Sequence, residues 1–225
     1  MFFSLFYDPY IAIIGDIKKS KKLEDRKSVQ DKLKKTLDNL NKKYIEDISA
    51  KFMITLGDEF QGLLCDGINV IEIIEEIQRE MYPVEIRFGV GVGAITTEIN
   101  LEMAIGADGP GYYKARQAIE FLKQNEQKNQ TNASDVRIEV DGDNQATTTM
   151  LNTILLLLSV LKSNWTDRQR EIIWDAVKYQ DGQAKSAERL SIAQSSVQRS
   201  LNNGNYYAYK GAIDTISNVL KEIRR

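Results

Sequence analysis

The sequence predicts an α+β protein: a ferredoxin-like βαββαβ core followed by an all-α module with helix-turn-helix spacing. Three observations predict it. Over the first 94 residues, apolar runs of strand length alternate with longer stretches of helical spacing. The balance of charge changes sign near residue 164, with ten basic against seven acidic residues beyond it and twenty against twenty-five before it. Past that point the pattern is helical throughout. The chain therefore divides into a domain over residues 1–163 and a second over 164–225.

Taken in order, Met1 to Tyr7 is apolar and ends at Asp8-Pro9. It lacks a basic flank and is far shorter than the ~20 residues that cross a bilayer, so it is read as an edge strand or a hydrophobic flap. The first strand is the run Tyr10 to Gly15, closed by Asp16. A long polar helix follows from roughly Leu23 to Ile48, then strands from Lys51 to Leu56 and from Glu59 to Cys65, joined by Gly57-Asp58. Ile68, Ile71, Ile74 and Ile77 have helical spacing, and that helix ends before Tyr82-Pro83. Val84 to Ala94 alternates with period two, as a strand with one wet face does. The order is a split βαβ sheet with helices on one side.

Beyond the core, a glycine-rich loop containing Gly106, Gly109 and Gly111 leads into a helix from Tyr112 to about Lys123. The polar stretch Gln124 to Ser134 is read as a mobile surface loop, and Val136 to Val140 as a last strand. Met150 to Leu161 carries four successive leucines; a dozen residues are too few to span a membrane, so the run is read as a helix buried between two layers or two protomers. In the C-terminal domain Thr166 or Asp167 caps a helix running to Tyr179, and Asp181-Gly182 ends it. Helices follow from Gln183 to Leu190, from Gln194 to about Asn202 and from about Tyr206 to Arg225.

Composition narrows the chemistry. The chain has no histidine, which removes Ser-His-Asp and Cys-His nucleophilic schemes, histidine bases and nearly all zinc chemistry. A single cysteine, Cys65, cannot form an intramolecular disulfide, so a reducing cytoplasm is the simplest setting and core packing its ordinary role. Catalysis, if present, falls to carboxylates, Lys, Arg, Tyr or a bound metal.

Asp16 and Asp58 stand at strand ends about forty residues apart. The intervening strand-helix-strand makes a right-handed crossover that brings both to one edge of the sheet. Two carboxylates there suit Mg²⁺ or Mn²⁺ with a nucleotide, since Mg²⁺ takes one or two carboxylates plus phosphate oxygens. Read separately, Asp58 is a hairpin residue and Asp16 a cap. Glu59, next to Asp58, is expected on the opposite face. Lys18, Lys19, Ser20, Lys21 and Lys22 follow Asp16 and open the predicted helix, as a phosphate-binding element or as a solvated basic face. Gly89, Gly91 and Gly93 let a ligand approach the strand, or relieve crowding beneath a helix. Gly109-Pro110-Gly111 is an anion-binding nest at a helix start or a plain turn.

Ala187, Leu190, Ile192, Val197 and Leu201 have helix-turn-helix spacing, leaving Gln194, Ser195, Ser196, Gln198 and Arg199 on the exposed face of the second helix. These side chains can bond base edges or phosphates; the alternative is a small helical bundle that binds protein.

On these residues the chain is identified as a member of the SatD family, and its first 120 residues resemble the palm of class III nucleotidyl cyclases. Asp16-Ile17-Lys18-Lys19-Ser20 is similar to the first metal-binding element of that palm, and Gly57-Asp58 to its second. Arg87-Phe88-Gly89-Val90-Gly91-Val92-Gly93 is similar to its glycine-rich strand, and Tyr112-Tyr113-Lys114-Ala115-Arg116 to its catalytic helix. Three departures stand out: Tyr113 replaces the transition-state asparagine, Arg116 is one position out of register, and Leu56 stands where Gly-Gly-Asp-Glu-Phe diguanylate cyclases have a glycine. The resemblance implies a homodimer in which Asp16 and Asp58 hold the metal and Lys18, Lys19, Ser20 and Arg116 the phosphates; joined to the helix-turn-helix spacing, it gives a cytoplasmic regulator that binds DNA through the C-terminal module. Its alternatives are an active nucleotidyl cyclase or nucleotidyltransferase using two metal ions, and a protein-interaction module with a relic palm.

Overall fold

The computed structural model describes residues 2–128 and 134–224. Among these, the chain is a mixed α+β protein with a five-stranded sheet and eight α-helices. The elements are β1 (Tyr10–Ile17), α1 (Arg26–Lys43), β2 (Ile48–Leu56), β3 (Glu59–Leu64), α2 (Val70–Met81), β4 (Ile86–Gly93), α3 (Pro110–Gln127), β5 (Val136–Val140), α4 (Gln145–Ser163), α5 (Asp167–Tyr179), α6 (Gln183–Arg189), α7 (Gln194–Asn203) and α8 (Tyr206–Leu220). They form two compact units, residues 1–156 with 216–225, and residues 157–215. Helices α4 and α8 each run across a boundary between them.

In the first unit the strands lie in the order β2-β3-β1-β4-β5. β1 is antiparallel to both β3 and β4, β2 is antiparallel to β3, and β5 runs parallel to β4. Every residue of β1 from Ile11 to Ile17 is buried, so both faces of the central strand are covered. The sequence reading put the helices of the βαββαβ core on one side; α3, which follows that core, packs on the face of Ala12 and Ile14. Ala12, Ile14 and Leu63 on one face form a cluster with Tyr112, Ala115 and Ile119 of α3, while α1 packs against β2 and α2.

The glycines of β4 explain how α3 comes so close. A Cβ on Gly91 would stand 2.0 Å from the Gly111 carbonyl oxygen and 2.2 Å from the Ala115 nitrogen, and one on Gly89 would stand 2.3 Å from the Ala115 oxygen. Relief of crowding beneath a helix is therefore what these glycines provide, since the backbone of α3 occupies the space over the strand. The Gly111 N–H donates to the Ala94 carbonyl at 3.2 Å, so the Gly109 to Gly111 segment seats the helix on the end of β4 and is not an open anion nest.

Three boundaries differ from expectation. The lysine-rich tract does not open a long helix: residues Ser20–Lys22 form one 3-10 turn, and α1 begins at Arg26, where Asp25 accepts from the Ser28 N–H at 2.9 Å. Lysines oppose the dipole of a helix start, whereas an Asp cap satisfies its free N–H groups. Residues 2–9 form no edge strand. Instead the Phe2 N–H donates to Glu222 at 2.6 Å, Ser4 and Asn144 exchange hydrogen bonds, and Phe3 is buried. α3 continues to Gln127, through the first part of the predicted loop; residues 129–133 of that loop lie outside the described residues.

α4 has 19 residues, longer than the leucine run that marks it. By length and composition alone it could cross a membrane, a test that the core helix of a soluble protein also passes. Leu151 and Leu155 are buried, whereas Met150 and Leu157 are exposed.

In the second unit the Thr166 side chain and Gln169 form a reciprocal cap at the start of α5. Arg189 ties α6 to α5 by bonding Asp175 at 2.8 and 2.9 Å and Asp181 at 2.6 Å. Trp165 donates to the Gly204 carbonyl at 2.8 Å and stands edge-on to Tyr209, with ring centroids 4.9 Å apart.

Candidate functional site

The ladder between β1 and β3 continues into the hairpin. Asp16 lies opposite Glu59, and the Ile17 N–H donates to the Asp58 carbonyl at 3.0 Å. Asp16 and Asp58, forty residues apart in the chain, are thus within one ladder step at the same end of the sheet. Gly57 makes the turn possible with φ at +61°, the left-handed region that glycine enters without cost to a Cβ.

Directly opposite residues share a sheet face, so Glu59 stands on the face of Asp16. Alternation along the strand puts Glu59 on the face opposite Asp58, and the register puts it on the face of Asp16. Glu59 is buried and accepts from Arg116 of α3 at 2.5 Å, and that contact comes first in holding the guanidinium above its usual range. Asp58 instead accepts from the Ser20 hydroxyl.

Asp16 is 5 % exposed and carries two cations. Arg87, opposite it on β4, bonds one carboxylate oxygen, and Lys123 of α3 stands 3.0 Å from the other. Arg87 also grips Glu126 with Nε at 2.9 Å and Nη2 at 2.6 Å. Behind them Lys18 reaches Asp135 at 2.8 Å and Glu126 at 3.5 Å. Burial acts to lower the Lys18 pKa, yet Asp135, Glu126 and Glu85 together hold it above its ordinary value. Burial acts to raise Glu126, yet Arg87 and Lys18 hold it below.

Of the residues singled out in sequence, then, Asp16, Asp58, Ser20, Lys18 and Arg116 gather at one sheet end, each with a protein partner. Lys19 is near them in the chain, exposed, and in a left-handed conformation. Lys18 and Ser20, expected to face phosphate, bond Asp135 and Asp58. Sequence reasoning missed Lys123, Glu126 and Asp135 altogether. Lys123 had a signal, since it lies seven positions after Arg116 and so on the same helix face.

A divalent cation is the group this arrangement implies, and the side chains fit one narrowly. Among the described residues no group of three or more acidic, histidine or cysteine side chains is placed to hold a metal. Two carboxylates are nevertheless within the one or two that Mg²⁺ takes with phosphate oxygens. A cation would enter only by displacing protein contacts: a neutral hydroxyl on Asp58, and on Asp16 a lysine whose side chain is 41 % exposed together with the buried guanidinium of Arg87.

In the second unit α6 and α7 are separated by residues 190–193. Ala187, Val197 and Leu201 are buried, and Gln194, Ser195, Ser196, Gln198 and Arg199 are all exposed along α7.

Among solved structures, the chain is similar to a dimeric guanylyl cyclase domain of the RhoGC fusion protein from the aquatic fungus Blastocladiella emersonii, with 15% identity over 49% of this chain and 72% of that one and a TM-score of 0.38. It is also similar to the catalytic core of a rhodopsin-guanylyl cyclase with converted specificity in complex with ATPαS, with 16% identity, coverage of 49% and 71%, and a TM-score of 0.35. A third likeness is to the guanylyl cyclase Cya2, with 14% identity, coverage of 48% and 68%, and a TM-score of 0.36. No curated protein matches the sequence. Residues 10–218 match the profile of the SatD family, and the chain belongs to that family.

Proposed function

We propose that this SatD protein is a cytoplasmic regulator whose first unit, a ferredoxin-like palm, binds a phosphate-bearing ligand with a divalent cation at the Asp16 end of the sheet. Its second unit binds DNA through α6 and α7 as a helix-turn-helix. What supports the first part is the backbone bond from Ile17 to Asp58, which puts Asp16 and Asp58 within one ladder step of each other, with the half-exposed cations Arg116 and Lys123 on the neighbouring carboxylates. Asp16 and Asp58 hold the cation in this reading, and Lys19 with Arg116 faces the phosphates. Arg87 and Ser20 act as positioning residues: each bonds one of the two carboxylates and fixes its rotamer. When bound, the cation neutralises phosphate charge, and the reading requires no turnover. The second part rests on five exposed polar side chains of α7 above buried Val197 and Leu201, the layout of a helix that packs by one face and reads a groove with the other. A homodimer suits paired half-sites on DNA.

Thermal melting across a panel of nucleotides with and without Mg²⁺ tests the ligand. A ligand that binds only the folded chain raises the melting temperature, and Asp58→Asn removes the Mg²⁺-dependent part of the rise. If no nucleotide or other polyphosphate shifts the wild-type melt, the reading fails.

A further inference from the structure

At the outer edge of the sheet, Arg137 and Glu139 of β5 stand opposite Gly89 and Gly91 of β4, and so share the face on which α3 is seated. α4 closes this edge from the side. The Ile138 N–H donates to the Asn152 side chain and the Ile138 carbonyl accepts from the same amide, both at 2.8 Å. Between α3, β5 and α4 lies a cavity of about 480 Å³, whose lining residues all fall between Phe121 and Leu156 in the first unit. That size is within the roughly 300–1,000 Å³ of small-molecule sites.

The lining carries one positive and one negative side chain, Arg137 and Glu139, and is otherwise neutral. The two meet through a single carboxylate oxygen: Nε and Nη2 of Arg137 both stand on Oε1 of Glu139, at 2.7 and 2.6 Å. Among the described residues nothing bonds the remaining Nη1 or Oε2. The guanidinium is also held over the Phe121 ring, 3.5 Å from its centroid, so this donor is set in place before any ligand arrives. A charged ligand would meet a like charge on one of the two residues, whereas a neutral molecule with a donor beside an acceptor satisfies both. We propose that the cavity binds a neutral planar heterocycle by its amide edge, as nucleobases carry it. The ring carbonyl accepts from Nη1 of Arg137, and the adjacent ring N–H donates to Oε2 of Glu139, both charge-assisted bonds. Leu122 and Leu156 line the same cavity with apolar surface for the ring, and Asn125 and Gln145 with amides for its substituents. The site is distinct from the Asp16 end and stands independently of the ligand proposed there.

The test is isothermal titration of uridine and inosine into the full chain; neither carries a phosphate, so the phosphate-binding reading is not what the titration reports. Both bind wild type. 3-Methyluridine and 1-methylinosine, whose ring N–H is blocked, bind about tenfold or more weakly, the scale of a lost hydrogen bond to a charged group. Arg137→Met weakens uridine and inosine by a similar factor. Thr149→Phe, at an exposed helix position on the cavity wall, fills the cavity and abolishes binding. If the methylated nucleosides bind wild type as tightly as their parents, or Thr149→Phe binds as wild type does, the amide-edge site is overturned. It is equally overturned if neither uridine nor inosine binds wild type.

Discussion

Asp16 shows how a single residue is defined by its neighbours. Taken in the sequence it is an acid at the end of an apolar run, equally a cap or a ligand. In the fold it is a buried carboxylate whose charge is balanced from β4 by Arg87 and from α3 by Lys123. The two partners differ in what their loss costs. Arg87→Met leaves Asp16 and Glu126 without their shared guanidinium in a buried setting, and the expected destabilisation is about 3–5 kcal/mol in urea unfolding. Lys123→Met removes a half-exposed contact, and the same measurement gives a loss of no more than about 1 kcal/mol. Equal losses would mean that Arg87 does not anchor the network. For Glu59, alternation along the strand gives only its relation to Asp58. The register of β1 against β3 sets the face, and that register is a contact between residues far apart in the chain.

At the scale of elements, the seat of α3 on β4 determines whether Arg116, Lys123 and Glu126 reach the sheet edge at all. Gly91→Ala places a methyl group against the backbone of Gly111 and Ala115, and overpacking of this kind costs about 1–3 kcal/mol or more. Gly211→Ala in α8 meets nothing within 4 Å and raises stability by about 0.5–1 kcal/mol as a helix residue replacing glycine. Chemical denaturation of the two variants checks both signs. Strand and helix order was legible because apolar spacing reports it locally, from Ile71 to Ile77 of α2 and from Ile86 to Gly93 of β4. The start of α1 was not, because a run of lysines looks helical by propensity while the cap that begins the helix is Asp25, five residues after Ser20. The length of α4 was underestimated for a related reason: Gln145 to Thr149 is polar and carries no apolar signal, yet continues the same helix.

Across the whole molecule, the charge balance changes sign near residue 164 and residues 157–215 form a compact unit of their own. DNA binding by the full chain, if it runs through α7, responds differently to two of its long polar side chains. Arg199→Ala lowers the slope of log Kobs against log salt by about 1, as loss of one phosphate contact does. Gln198→Ala weakens retention on the preferred site and leaves that slope unchanged. DNA retention that is the same in wild type and both variants would remove α7 as the contact surface.

The sequence by itself determined the classes of element, their order, the acidic and basic division of the chain and the exclusion of histidine chemistry, because each is a local or compositional property. Tertiary structure alone decided which cation faces which carboxylate. Asp16 meets Arg87 and Lys123, Glu59 meets Arg116, and Lys18 turns to Asp135, with the hydrogen-bonded pairs 57 to 117 positions apart. Such pairings follow from strand register and from the close approach that Gly89 and Gly91 allow to α3, and a residue's immediate neighbours in the chain carry no record of either.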